Sequence, residues 1–506
     1  MKCDEAKPVC YRCSSTGRKC DGYAAASSAI AKTTKNDALT LALGLNVTVD
    51  ALEKRTFDFF RLRTTPCMSG YFNDHLWERM VFQVCQTEPA VRYAVTALGA
   101  LHEERSLRRS ALRDGVDVSS VQTDFPVKQY AKALSGLQQL LACENVPMNV
   151  VLLCSLLCVH FESMRENFVP ALVHAENAIK LLHSSSTFNS QKIDQSLIRA
   201  FMRIDLQGSL YIGMRTPGLP FFTSATDSDL PDAFADLIHA RDFSNTWTSR
   251  LYYFMRTKAD RHKFQDPGNV PLELFAECQT HEGMFAAIDQ LLWDFMQKPT
   301  VKLSFREQHG LGMLRIRAKI NRIVTAGCLY AEASNYDRFM ELFVQVHAIC
   351  KYIIDSENAD RRLFSVSLDE GLLHPLFFLA THCRDSKLRH SALGMLRLLP
   401  ARAGIWHVEA MTRTAEHCIE YEEALCEKEH PDCSDIPEWR RIHSAGFDGW
   451  DAAHSRHTRV IMHMRTRPYG MDGDWVDTSK EIEWYVNPLR PQSCLMMPEQ
   501  AVLWSY

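Results

Sequence analysis

The sequence predicts an all-α fold over most of its length, and three features carry that expectation. Apolar residues recur at helical spacing from Phe57 onward. Alternating strand patterns joined by Asn-Gly or Asp-Gly turns are scarce, and several apolar stripes stop at a proline or a run of serines.

Taken in order, Leu76 to Gln86 reads as one helix. Val91, Val95, Leu98 and Leu101, at i, i+4, i+7 and i+10, read as the next. Leu134, Leu137, Leu140 and Leu141 form a stripe after Pro126, which suits a first helical turn because its missing N–H had no partner to lose. Ala171, Leu172, Ala175, Ile179 and Leu182 form another, expected to stop at Ser184-Ser185-Ser186. Leu311 to Leu329 and Phe339 to Ile354 follow. Leu388, Ala392, Met395, Leu396 and Leu399 make the last stripe, ended by Pro400. From Asp435 the chain is rich in Trp, His and Gly with weak periodicity, and no element is assigned there. Ala24 to Asn36 is small and polar without apolar periodicity, as a flexible linker is. Gly and Pro mark breaks at Thr216 to Phe222 and Asp266 to Pro271. The expected organisation is a cysteine-bearing head at 1–23, a linker at 24–56 and a helical body at 57–506. No fixed-period repeat and no sustained heptad pattern is present.

Composition narrows the class. Of 506 residues, 46% are apolar and 23% charged, a balance that excludes disorder throughout. The longest uncharged apolar-looking run, Val146 to Phe161, falls short of the roughly 18–20 residues a membrane span needs. No apolar segment follows Met1, so the chain is expected to be soluble and intracellular, without membrane partners. The sequon at Asn46-Val47-Thr48 then carries no meaning. The net charge of −4 divides into +2 for residues 1–23 and −6 for the remainder. That is too small an asymmetry to establish a polyanion partner. No nucleophile elbow, P-loop or dinucleotide fingerprint occurs, and Gly310-Leu311-Gly312 is too little to stand for one, so no enzyme is expected.

Cysteine placement says more. Four of the 17 cysteines fall within the first 20 residues, as Cys3-x6-Cys10-x2-Cys13-x6-Cys20. Zinc takes four tetrahedral thiolate or imidazole ligands, and a Cys-x2-Cys pair presents two sulfurs from one turn. So short a segment cannot bury a core, so metal binding has to supply its folding energy. The alternative is a disordered head with incidental cysteines. The other 13 lie singly, mostly in apolar segments, and read as reduced, packed thiols. Cys418, Cys426, His430 and Cys433 lie within 16 residues, but ordinary packing is preferred to a metal site. His174 and Glu176, two apart, point to different faces of a helix and suit core or capping roles.

At this point the residues become recognisable. Lys2-Cys3-Asp4-Glu5-Ala6-Lys7-Pro8-Val9-Cys10-Tyr11-Arg12-Cys13, then Gly17-Arg18-Lys19-Cys20, resembles the second part of the fungal six-cysteine binuclear zinc cluster. The resemblance implies that Cys3, Cys10, Cys13 and Cys20 ligate zinc as the third to sixth cysteines, with Cys10 bridging and Pro8 in the loop. The family's first two cysteines, and the basic helix that reads a CGG triplet in the major groove, have no counterpart between Met1 and Cys3. Of the basic run only Lys2 is represented, at a phosphate-contacting position. The expectation is therefore weak DNA binding by the polypeptide as written, with a start site placed inside the motif and an upstream exon missed.

The body resembles the helical regulatory domain of the same family. The matching runs are Phe57 to Arg61, Cys67 to Tyr71, Trp77 to Gln83, Glu88 to Arg92, Ala97 to His102 and His174 to Leu182. Pro375 to Phe378, Cys383-Arg384-Asp385 and Arg402 to Trp406 continue them, with Ala403 where the family commonly has glutamate. The resemblance implies a nuclear transcription regulator that uses zinc and binds DNA. Its further implied partners are a second copy, coregulator proteins or a small-molecule effector. The alternative is a helical interaction protein that binds no DNA and titrates partners.

Overall fold

Asp50 begins the helical body by accepting a hydrogen bond from the Glu53 amide at 2.7 Å, which caps α1 (Ala51–Phe59). The computed structural model describes residues 50–485 apart from 73–74, 114–122, 166, 189–192, 212–214, 221–228, 266, 299, 358–370, 400–401, 404–405, 451–456 and 468–472. Helix thus starts at Ala51, ahead of Phe57 and inside the stretch 24–56 expected as linker.

A π-helical turn at Phe60–Thr64 leads into α2 (Thr65–Met68), and another at Leu76–Met80 into α3 (Val81–Thr87). Helix α4 (Pro89–Arg113) buries Val91, Val95 and Leu98. In α5 (Phe125–Leu141) Pro126 sits in the first turn as expected, but the buried face is rotated from the predicted leucine stripe. Gln129, Tyr130, Ala133 and Leu137 are buried while Leu141 is exposed, because α5 lies between α4 and α6. Helix α6 (Met148–Met164) is buried on every side from Val151 to Met164, which explains why its sequence is apolar all round. Among the described residues no helix is long and apolar enough to cross a membrane.

Helix α7 (Phe168–Phe188) runs through the serines expected to stop it. The Ser184 hydroxyl bonds back to the Leu181 carbonyl at 3.0 Å, so the hydroxyl is satisfied without ending the helix. Helix α8 (Gln195–Tyr211) touches α6, α7 and α9 (Leu237–Phe254) and so links the first layer of helices to the second. Its Asp205 carboxylate accepts from the Gly218 and Leu219 amides at 2.8 and 2.9 Å and pins the Gly/Pro break to the core.

The second layer contains α10 (Leu272–Gln297), α11 (Phe305–Gly327), α12 (Met340–Glu357), α13 (Leu373–His382) and α14 (Ser386–Leu398). A capping box between Ser304 and Glu307 starts α11, and α14 ends just before Pro400. The Arg402 to Trp406 motif forms a hairpin of β1 (Arg402–Ala403) and β2 (Trp406–His407), which leads into α15 (Val408–Glu423).

Apart from the two-residue strands β1 and β2, the described chain is helical through α15, as predicted. The unassigned tail adds an antiparallel sheet of β3 (Ser444–Trp450), β4 (His457–Thr466) and β5 (Val476–Tyr485), in that order. Ile461 pairs with Asp448 on one side and Glu481 on the other.

Gly99 marks the closest helix approach in the first layer. A Cβ there would stand 2.1 Å from the Thr56 carbonyl and 3.0 Å from the Phe60 Cβ. Gly99→Ala gains about 1 kcal/mol of helix propensity but overpacks the α1–α4 contact by about 1–3 kcal/mol or more. The net expectation is destabilisation, read as a lower urea midpoint at unchanged m-value; a higher midpoint would refute the close packing of α1 on α4.

Candidate functional site

Cys3, Cys10, Cys13, Cys20 and Lys2, expected to bind metal and DNA, lie outside the described residues. The weaker constellation resolves into packing. Cys418 is fully buried in α15, where burial pushes its thiol up to about 12, and the Cys426 thiol donates to the Asp435 carbonyl at 3.6 Å. Among the described residues no group of three His, Cys, Asp or Glu side chains is arranged to hold a metal. His174 meets the Tyr130 hydroxyl at 3.1 Å, while Glu176 faces Arg215 at 3.8 Å, two different directions as their spacing requires. The described cysteines are free, with Cys278 and Cys328 approaching to 3.4 Å.

The Cys383-Arg384-Asp385 run lies at the corner between α13 and α14. Glu422 of α15 is fully buried there, with Arg384 at 2.8 Å on one oxygen and Arg389 at 2.7 Å on the other. The Ile442 amide adds a third donor at 2.7 Å. Burial alone would raise this carboxyl's pKa; the two guanidiniums and the amide overcome that and hold it below the usual value. The arginines also satisfy carbonyls at the end of α13, Arg384 donating to His382 O at 2.7 Å and Arg389 to Ala380 O at 3.2 Å. Asp385 meanwhile caps α14 through the Leu388 amide at 2.9 Å.

The strap after α15 is fastened in the same way. Glu438 accepts from the Ala333 and Ser334 amides at 2.7 and 3.0 Å, and Arg441 pairs with Asp337 at 2.7 Å. Burial opposes the Glu438 charge, yet His443 and these amides hold its carboxyl at about 2. Together these contacts hold α13, α14, α15 and the strap in place.

The cavity that gathers polar side chains lies where the two layers meet. Three helices each turn an i,i+4 pair into it: Arg203 and Gln207 from α8, Arg241 and Asn245 from α9, Met313 and Arg317 from α11. Tyr71, Phe72, Leu206, Leu314 and Gly371 complete the wall, Gly371 with φ 53°, where an L side chain would be strained. The cleft encloses about 480 Å³, including the solvent at its mouth. Arg317 donates to Asn245, and Asn321, one turn on, donates to Thr248 at 2.9 Å, so polar rungs set the register of α9 on α11. The Arg241 guanidinium lies 5.4 Å over the Phe72 ring and pairs with Asp242 at 2.9 Å. Asp242 is shared with Arg199 at 3.3 Å. A neighbouring small chamber, lined by Leu210, Ile316 and Ile320 and also by Thr248, Tyr252, Asn321 and His374, shares Met313 and Arg317 with the cleft. No sequence motif pointed to this site, although the i,i+4 arginine pairs were its visible trace.

Comparison with known proteins places these observations. Residues 55–418 match the model of the fungal specific transcription factor domain. The chain is similar to the transcription regulator lscL of Purpureocillium lilacinum, 28% identical over 194 residues, a stretch covering 36% of this chain and 46% of that protein. It is also similar to the aspercryptin biosynthesis cluster-specific transcription regulator atnN of Emericella nidulans, 25% identical over 225 residues, 39% of this chain and 35% of that protein. The chain therefore spans less than half the length of either relative. No solved structure matches.

Two outcomes follow from the buried charges. Glu422→Gln leaves two buried guanidiniums without their counter-charge and is expected to cost about 3–5 kcal/mol in a urea melt. Arg397→Ala, which loses an exposed pair with Glu416, is expected to cost under about 1 kcal/mol. Equal losses would show that the Glu422 cluster is not the anchor. Acid sensitivity follows from the histidines. Burial lowers His160, His281 and His443 to about 4 each, so they stay neutral in the fold, while unfolded chains protonate near 6.5. The unfolded state then binds more protons, and stability present above about pH 6.5 is lost as pH falls toward 4. For His160 alone the loss at pH 5 is about 2 kcal/mol. His160→Gln is expected to flatten the fall of melting temperature between pH 7 and 5; an unchanged slope would remove His160 from this account.

Proposed function

The chain belongs to the fungal specific transcription factor family, and from that premise we propose that it is a nuclear zinc-cluster regulator of RNA polymerase II transcription. In this reading residues 1–23 bind zinc through Cys3, Cys10, Cys13 and Cys20, and the helical body governs what the head does. The observation that carries the proposal is the coincidence, on one chain, of the family match over residues 55–418 with the four-cysteine spacing ahead of it. The target sites are of the CGG type, read by the family's basic run. That run is represented within these 506 residues by Lys2, so this polypeptide holds DNA weakly.

Two measurements on the 506-residue polypeptide test this. Metal analysis at neutral pH is expected to give about one zinc per chain or more, lost in Cys10→Ser. Less than a half-equivalent would leave the partner-titrating alternative in its place. In gel shifts at fixed salt, CGG-containing and scrambled duplexes are expected to bind equally and weakly. A clear CGG preference would overturn the role assigned to the basic run.

A further inference from the structure

Cys278 of α10 and Cys328, the residue that follows α11, bring their sulfurs to 3.4 Å although 50 positions separate them in the chain. A disulfide needs about 2.05 Å, so the sulfurs have roughly 1.4 Å left to close. The approach is held at two further points. Phe275, three residues before Cys278, meets Tyr330, two residues after Cys328, with ring centroids 5.8 Å apart. Beside Cys328, Gly327 packs so closely that a Cβ there would stand 2.2 Å from the Tyr336 ring.

Exposure divides the pair. Cys278 is half-buried and within reach of solvent, whereas Cys328 is 2% exposed. The hydrogen bond with Cys278, and then burial, push the Cys328 thiol well above its usual range; the Lys263 ammonium opposes that shift and Asp260 adds to it. Cys328 therefore stays protonated. One reachable sulfur backed by a protonated one is the arrangement of an oxidisable thiol and its resolving partner. A second close pair, Cys154 and Cys158, lies one turn apart on α6 and is wholly buried, so an aqueous oxidant reaches neither.

We propose that Cys278 and Cys328 are a modification site, forming a reversible disulfide when the folded chain meets hydrogen peroxide and so tying α10 to the end of α11. Cys278, as thiolate, attacks one peroxide oxygen: an S–O bond forms, the O–O bond breaks, and hydroxide leaves to take up the proton that Cys278 gave up. Cys278 is then a sulfenic acid. The Cys328 sulfur attacks the Cys278 sulfur: the S–S bond forms, the S–O bond breaks, and the Cys328 proton leaves with that oxygen as water. Two thiols lose two electrons and two protons, and one peroxide is reduced to two waters. The turn after Cys328 leads into Ala333–Phe339, where the Ala333 and Ser334 amides hold Glu438 of the strap. Oxidation thus links α10 covalently to the segment that anchors the strap. The site stands on the body alone and does not depend on whether the head binds zinc or DNA.

Peroxide treatment of the folded, reduced 506-residue chain tests the proposal, with the remaining thiols then alkylated under denaturing conditions and the peptides mapped by mass. Peptides joined through Cys278 and Cys328 are expected, two hydrogens lighter than the reduced pair and separated again by dithiothreitol. Cys328→Ser removes the resolving thiol and is expected to leave Cys278 as a sulfenic acid that dimedone captures. Cys278→Ser is expected to lose the cross-link and to slow oxidation of Cys328 at least tenfold. Circular dichroism shows whether each variant folds, and Cys278→Ser, at the half-buried position, decides if Cys328→Ser does not. Cys278 and Cys328 both still alkylated after peroxide has oxidised the exposed Cys143 would overturn the proposal. So would a main product linking Cys278 to any other cysteine, oxidation of Cys154 and Cys158 ahead of the pair, or unchanged oxidation of Cys328 in folded Cys278→Ser.

Discussion

The packing of α13, α14 and α15 turns on one carboxylate. Glu422 is fully buried, and its two oxygens receive two guanidiniums and a backbone amide. A charge so placed is tolerable only when every lone pair is met, and here the partners come from separate parts of the chain. Arg384 lies at the corner after α13, Arg389 on α14, and Ile442 at the entrance to β3. The same arginines close off carbonyls at the end of α13, so helix termination and tertiary contact are one interaction. An apolar core alone would let α13, α14 and α15 slide; ionic and hydrogen-bond geometry leaves them one register.

A similar logic recurs at lower stakes along the second layer. Asp289 of α10 meets Arg315 and Lys319 of α11, while the opposite side of α11 uses Arg317 and Asn321 against α9. Residues two apart point to different neighbours and residues four apart to the same one, as helix geometry dictates. The first layer is built differently. There α6 is sealed on all sides by apolar contact, and α4 approaches α1 so closely at Gly99 that no side chain fits. The cleft forms where these two modes of packing meet, because arginines and amides at the boundary cannot be fully covered by either.

The two layers differ in what holds them: burial on every side of α6 in the first, polar rungs between α9 and α11 in the second. The family assignment, residues 55–418, covers both layers. Apart from Cys328, the buried thiols and the neutral histidines belong to the packing of the body, not to its chemistry.

Local order was legible from the residues alone. Apolar spacing, Pro126 and Pro400 marked helices and some of their ends, because these depend on the 3.6-residue period and on backbone chemistry within a few residues. The run Cys383-Arg384-Asp385 stood out by resemblance, but only the fold showed that Arg384 shares a carboxylate with Arg389, since Glu422 lies far along the chain. Side-chain faces were less legible: the buried side of α5 is set by its two neighbours, not by its leucines. Ser184 failed as a stop because its hydroxyl found a carbonyl one turn back. In β5, Val476, Thr478, Ile482 and Trp484 alternate with acidic and serine residues, a period-two signal hidden by weak patterning around it. The cleft left only a faint trace. Each helix shows an unremarkable arginine with a partner four residues away, and what makes them a site is the convergence of three helices in space, which no linear pattern encodes.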